Sequence, residues 1–96
     1  MAIAKFYHIT IRPKSGKTID DIEKQMNKAL DWYRYTDNCY VVYSTADMKT
    51  LMGRLRDLVD QGGLLFISEL NTSNRNGWMP KEFWEWLKMD RNNKLI

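Results

Sequence analysis

The 96-residue sequence predicts one α+β domain, in which helices cover a four-stranded antiparallel sheet. A chain of this length has room for one hydrophobic core. Its 44% hydrophobic residues, with four Trp, five Tyr and three Phe, supply enough apolar surface to offset the entropy lost on folding. The hydrophobic period also changes several times between two and about 3.6 residues along the chain, which indicates alternating strands and helices.

The first two predicted elements are a strand over residues 6–12 and a helix over about 19–30. Apolar and polar residues alternate through the first segment, as in a strand with one buried face. The sequence PKSG at 13–16 ends it, because proline cannot donate to a ladder and glycine tolerates turn dihedrals. Thr18 is suited to cap the helix, and Asp21 favours its positive end.

The middle of the chain predicts a hairpin and a second helix. The segments 32–36 and 39–43 are aromatic and β-branched, and Asp37 and Asn38 between them accept the dihedrals of a tight turn. Helical spacing of Met and Leu then predicts a helix over about 46–60, which a glycine pair ends.

The last elements are a buried fourth strand over 64–70, a polar loop over 71–77 and a short helix in a C-terminal extension over about 78–90. We treat 1–96 as one domain, with its core over about 4–70. The element order β-α-β-β-α-β-α places both crossover helices on one face of the sheet. This is the split-βαβ, ferredoxin-like plan.

The charges and the single cysteine exclude several classes of protein. Net charge is +3, and all of the excess lies in residues 1–17, which hold four bases and no acid. Cys39 and His8, each the only residue of its kind, exclude an internal disulfide framework and the common Cys/His zinc sites. The start of the sequence lacks a signal-peptide pattern, and no apolar run reaches the roughly 18 residues of a membrane span. We expect a cytoplasmic protein without cofactor or membrane partner.

The candidate binding residues are basic or aromatic: His8, Arg12, Lys14, Lys17, Tyr33 and Tyr35. The basic residues can contact phosphate or form a solvated edge and loop. The two tyrosines can stack bases or pack in a core or a dimer interface. The single histidine lacks a recognisable nucleophile and orienting partner, so no catalytic residue is assigned.

The order and spacing of six segments resemble the SinR-like family of small proteins. This family is related to the small CRISPR spacer-acquisition nuclease and to the virulence-associated ribonuclease group. The segments are 6–11 (FYHITI), 14–16 (KSG), 31–35 (DWYRY), 39–45 (CYVVYST), 64–67 (LLFI) and 86–88 (WLK). Together they span most of the chain, and the resemblance implies the same ferredoxin-like fold and a homodimer.

The resemblance also implies where a nuclease would hold its metal. Nucleolytic members use an aspartate at the end of the first strand, and the loop glycine, Gly16, aligns that position with Ile11. A carboxylate is needed there because magnesium prefers hard oxygen ligands. We therefore expect a non-catalytic homodimeric module that binds nucleic acid, nucleotide or protein, in association with defence systems or mobile elements. The alternative is a metal-dependent endonuclease that uses other acids, with Glu69 as the nearest candidate.

Overall fold

The computed structural model describes residues 3–89 and 91. Its elements, in chain order, are β1 (Lys5–Arg12), α1 (Ile19–Met26), β2 (Asp31–Thr36), β3 (Cys39–Ser44), α2 (Met48–Leu55), β4 (Leu64–Leu70) and α3 (Lys81–Lys88). A 3-10 turn over Arg56–Leu58 continues α2. The predicted α+β class and the four-stranded antiparallel sheet are confirmed.

The sheet has the strand order β2-β3-β1-β4, so β1 lies inside it and β2 and β4 are the edges. Thr10 of β1 lies opposite Cys39 of β3 and Phe66 of β4. The β2–β3 hairpin shifts register between Arg34 and Thr36.

The first face of the sheet carries the main core, which α1 and α2 cover. Side chains of alternate strand residues point to the same face, which explains the alternation in β1. The buried residues of this core are Tyr7, Ile9, Ile11, Ile22, Met26, Tyr40, Val42, Leu51, Leu55, Leu58 and Val59. Trp32 packs against this core and contacts the buried ring of Tyr40. Both rings therefore stabilise the fold and are not free to stack on a ligand.

The second face of the sheet is partly covered by α3. Phe83, Trp86 and Leu87 of this helix form a smaller core with Val41 of β3. Tyr33 lies beneath the helix, with its ring centroid 5.5 Å from that of Phe83 and 5.6 Å from that of Trp86. Phe83 and Trp86 of α3 therefore pack on the chain's own sheet.

Arg91 closes the end of α3. Its guanidinium donates to the carbonyl oxygens of Leu87 (3.4 Å) and Met89 (3.0 Å) and to that of Trp86. Its Nε lies 3.5 Å from a carboxylate oxygen of Asp31 at the start of β2. The guanidinium also lies over three rings, those of Phe6, Tyr43 and Trp86, at 5.1, 5.2 and 4.4 Å from their centroids. One buried cation thus ties the helix end to the sheet.

The first two helices are shorter than the sequence predicts. The first ends at Met26, not near residue 30, because Asn27 caps it and the N–H of Leu30 already donates to Tyr43 O at 3.0 Å. The second begins at Met48, where the side chain of Asp47 accepts from Thr50 N at 2.8 Å. The capping box at α1 forms as expected between Thr18 and Asp21.

The fourth strand has the predicted bounds but is not buried. Leu64 and Phe66 lie on the second face of the sheet, which α3 covers only in part, and they remain 55% and 65% exposed. The predicted C-terminal extension contains its helix at Lys81–Lys88, and residue 90 lies outside the described residues. No helix within residues 3–89 is long and apolar enough to cross a bilayer.

Two glycines give opposite predictions for alanine substitution. A Cβ on Gly63 would lie 2.5 Å from the carbonyl oxygen of Arg12 and 2.7 Å from Val59 Cα. We expect Gly63→Ala to lower the free energy of unfolding by about 1–3 kcal/mol, as overpacking does. Gly53 lies inside α2, and nothing lies within 4 Å of its Cβ position. Because glycine destabilises a helix interior relative to alanine, Gly53→Ala should raise the free energy of unfolding by about 0.5–1 kcal/mol. Urea denaturation measures both, and a Gly63→Ala protein as stable as the parent would contradict this close packing.

Candidate functional site

A groove of about 390 Å³ lies between the second face of the sheet, α3 and the loop 71–80. This volume falls within the range of about 300–1,000 Å³ that small-molecule sites occupy. Rings line much of it, from His8, Tyr35, Trp78, Phe83 and Trp84. Polar side chains of the loop complete it, mainly Asn71, Asn74, Arg75 and Asn76.

The loop after β4 is held by hydrogen bonds to its own asparagines. Asn71 Oδ1 accepts from Ser73 N at 3.2 Å, and Asn76 Oδ1 accepts from Gly77 N at 2.8 Å. Arg75 donates from Nη1 to Thr72 O at 2.9 Å. The Asn74 side chain makes no hydrogen bond within residues 3–89 and 91, so its amide is available to a ligand.

The aromatic wall of the groove combines a fixed part with an exposed one. Phe83 holds Trp84 edge to face at 5.4 Å between centroids and contacts Tyr35 at 6.1 Å. Trp78, two residues before the proline that starts α3, is fully exposed. A fully exposed tryptophan beside a groove is unusual for a residue that normally buries most of its ring.

His8 and Tyr35 meet at the floor of the groove, where His8 Nε2 and the Tyr35 hydroxyl share a hydrogen bond. Burial lowers the pKa of His8 from its ordinary value of 6.5, so the imidazole is neutral at pH 7. Burial, and to a smaller extent a hydrogen bond with Cys39, raises the pKa of Tyr35 to about 12. The floor is therefore polar and uncharged.

Cys39 lies beside this pair, outside the lining of the groove. Its Sγ is 3.6 Å from Thr10 Oγ1. Burial raises the pKa of the thiol, but hydrogen bonds with Thr36, Thr10 and Tyr35 outweigh burial and leave the pKa below its ordinary value. The thiol therefore lies among polar neighbours.

The basic candidates lie apart from the groove. Lys14 Nζ pairs with Asp60 Oδ1 at 2.6 Å, and this hydrogen bond lowers the pKa of the Asp60 carboxyl. Asp21 caps the start of α1 through Thr18, close to Lys17. Arg12 is exposed at the far end of β1.

Of the six candidate residues, the structure brings His8 and Tyr35 together and partly buries Tyr33 beneath α3. Sequence reasoning missed Asn74, Arg75, Trp78 and Trp84 as groove residues. A signal was present, because an arginine among asparagines in a long polar loop is typical of ligand-binding loops.

The positions considered for metal chemistry are separate from each other. Ile11, which the resemblance aligned with a metal aspartate, is fully buried in the main core. Glu69 lies opposite Tyr7 on the first face and pairs with Lys5 at 3.4 Å. Within the described part of the chain, no three His, Cys, Asp or Glu side chains form a group that could hold a metal ion.

The lowered pKa of His8 gives a pH prediction. The unfolded chain binds a proton near pH 6.5 and the folded chain only at lower pH, so stability falls as pH drops through that interval. NMR titration of the His8 ring should give a midpoint below 6.5. Urea denaturation at pH 5.5, 6.5 and 7.5 should show that His8→Gln reduces the loss of stability at low pH. Tyr35→Phe keeps the buried imidazole and should retain the pH dependence; an equal reduction in both variants would contradict the assignment to His8.

Comparison with known proteins finds no matching family model, no matching curated protein and no matching solved structure.

Proposed function

We propose that this protein is a non-catalytic binding module whose groove takes a nucleotide, with the base against the aromatic wall and the phosphate at Arg75. The observation that carries the proposal is the composition of the groove. Its described lining joins rings, side-chain amides and one guanidinium, and it contains no Asp or Glu.

The base half of the proposal rests on Asn74 and the tryptophans. An asparagine amide offers both a donor and an acceptor, which matches the edge of a nucleobase. Trp84 and Trp78 present rings on which a base can stack. The amide and the rings border the same groove, so one planar, polar ligand can contact both.

The phosphate half rests on Arg75. Its side chain is exposed and makes no ion pair within the described residues. A guanidinium binds phosphate oxygens through charge-assisted hydrogen bonds. Because no carboxylate lines the groove, an anionic ligand meets no repulsion there.

The non-catalytic part rests on the groove's titratable groups. His8 is neutral at pH 7 and hydrogen-bonded to Tyr35, whose phenol stays protonated up to about pH 12. No Asp, Glu, Lys or Cys lines the described groove beside them, so the pair lacks the partner that acid–base or nucleophilic catalysis requires.

The proposal predicts separate effects on nucleotide and nucleoside binding. Arg75→Ala should weaken a nucleoside monophosphate roughly tenfold, since hydrogen bonds to charged groups contribute about 1.5 kcal/mol and 1.4 kcal/mol is tenfold. The matching nucleoside should bind both proteins equally. NMR titration measures both affinities, with Arg56→Ala as a control at an exposed position outside the groove. The titration is repeated with the monophosphates of all four bases. If none of them shifts the NMR resonances of the groove residues, the proposed function is overturned.

The finer fold, the family and the location are part of the proposal. We propose a ferredoxin-like fold, which is supported by the order β2-β3-β1-β4 and by one core shared by α1 and α2. We also propose a relationship to the SinR-like proteins, supported by the segments quoted above. A cytoplasmic location is supported by the free thiol of Cys39.

We propose that the protein forms a homodimer through the free edge of β4. An edge strand presents unpaired backbone groups to a second chain, and Leu64 beside it is exposed. Light scattering should give twice the protomer mass of 11.5 kDa at micromolar concentration. Leu64→Lys places like charges across a two-fold interface and should shift the mass towards one protomer, whereas Met52→Lys on α2 should not. One protomer mass at every concentration would remove the dimer.

A further inference from the structure

We infer that the occupant of the groove is one end of a single-stranded nucleic acid, which continues over the part of the second sheet face that α3 leaves uncovered. This inference rests on the proposed function and names its ligand class. It is carried by an exposed ring, Phe66, and an arginine without an ion pair in the described residues, Arg12, which lie outside the groove on the same face of the sheet.

The uncovered surface, here called the open strip, consists of His8, Thr10, Arg12, Leu64, Phe66 and Ser68. Register places these residues side by side on β1 and β4, and alternation turns them to the same face as Leu70, which lines the groove. His8 belongs to both surfaces, so the strip continues directly from the groove. Phe66 is its large exposed ring.

The spacing fits several nucleotides rather than one. Leu70 at the groove lies four residue steps along β4 from Phe66, which corresponds to roughly 13 Å. Stacked bases in one strand are only about 3.4 Å apart. A base at the groove and a base at Phe66 would therefore belong to different nucleotides of one strand.

The charge of this face favours a polyanion. Arg12 lies at the far end of the open strip and Arg75 at the groove, and neither forms an ion pair within the described residues. No Asp or Glu belongs to the open strip or to the groove lining. Two arginines at opposite ends of this acid-free surface can contact phosphates that lie several nucleotides apart in one strand.

The chemistry favours an unpaired strand over a duplex or a protein. Ring stacking requires bases that are not already stacked in a duplex. Large apolar surfaces that bind a protein usually form one continuous patch. Here Ser68, Thr10 and the groove asparagines separate the exposed rings of Phe66 and Trp78.

The first test compares ligand lengths by fluorescence anisotropy, using labelled ribo- and deoxyribo-oligonucleotides of two, four and eight residues. Affinity should rise with length to about four residues or more. Phe66→Ala should weaken the eight-residue strand roughly 5- to 150-fold, because each stacked base contributes that much, and should leave a mononucleotide unchanged. Phe66→Leu keeps an apolar surface without a ring and should resemble Phe66→Ala. Met52→Ala, at a similarly exposed site on α2, should match the parent.

The second test concerns Arg12. Each phosphate contact removed from a single strand should flatten the plot of log affinity against log salt by about 0.7. Arg12→Ala should show this change with the eight-residue strand, whereas Lys49→Ala on the exposed side of α2 should not. A difference between the ribo- and deoxyribo-strands identifies which nucleic acid the protein prefers.

Several outcomes would overturn the inference. Equal affinity for a mononucleotide and an eight-residue strand would confine the ligand to the groove and leave the proposed function standing. The inference would also be overturned if the protein bound an eight-residue single strand and a duplex of that length with equal affinity. Unaltered binding of the strand in Phe66→Ala and Arg12→Ala would overturn it too. If no oligonucleotide binds while Phe66→Ala converts a dimer to a monomer, the open strip belongs to a second copy of the chain. Absence of mononucleotide binding as well would remove the proposed function itself.

Discussion

The structure depends on the position of β1, which is hydrogen-bonded on both sides and carries large side chains on both faces. Its first face carries Tyr7, Ile9 and Ile11, and α1 and α2 bury these side chains. Its second face carries Phe6 and His8, which two crossover helices on the opposite face cannot reach. The remaining cover has to come from the chain after β4.

That cover is α3, and its hold on the sheet sets the shape of the groove. Phe83 and Trp86 anchor one side of the helix on Tyr33, while Arg91 draws its end towards β2 through Asp31. A helix of eight residues is marginal alone and depends on such packing. Because the helix covers the sheet only in part, a space remains above His8, and the loop that leads into α3 becomes its wall.

The sequence and the structure point to different surfaces as the place where an anion would bind. The basic excess of residues 1–17 suggested a phosphate site near Lys14, but that lysine pairs with Asp60, 46 residues later. The helix start beside it is capped by Asp21. By contrast, Arg75 is the one charged residue of the loop 71–80, and it forms no ion pair within the described residues. What matters for an anion is the set of charges that share a surface, and that set depends on the fold.

The sequence alone determined the elements, because strand alternation, helical spacing and caps such as Thr18 act over a few residues. Tertiary structure decided what depends on long-range pairing. The partial cover by α3 left Phe66 exposed on the second face of the sheet, in a segment whose composition suggested burial. Register brought His8 and Tyr35 together across 27 residues of chain, and the return of α3 added Trp84 to the same groove. The hydrophobic periodicity of a single segment does not predict these long-range contacts, because they depend on which strands pair and on which face of the sheet the last helix covers.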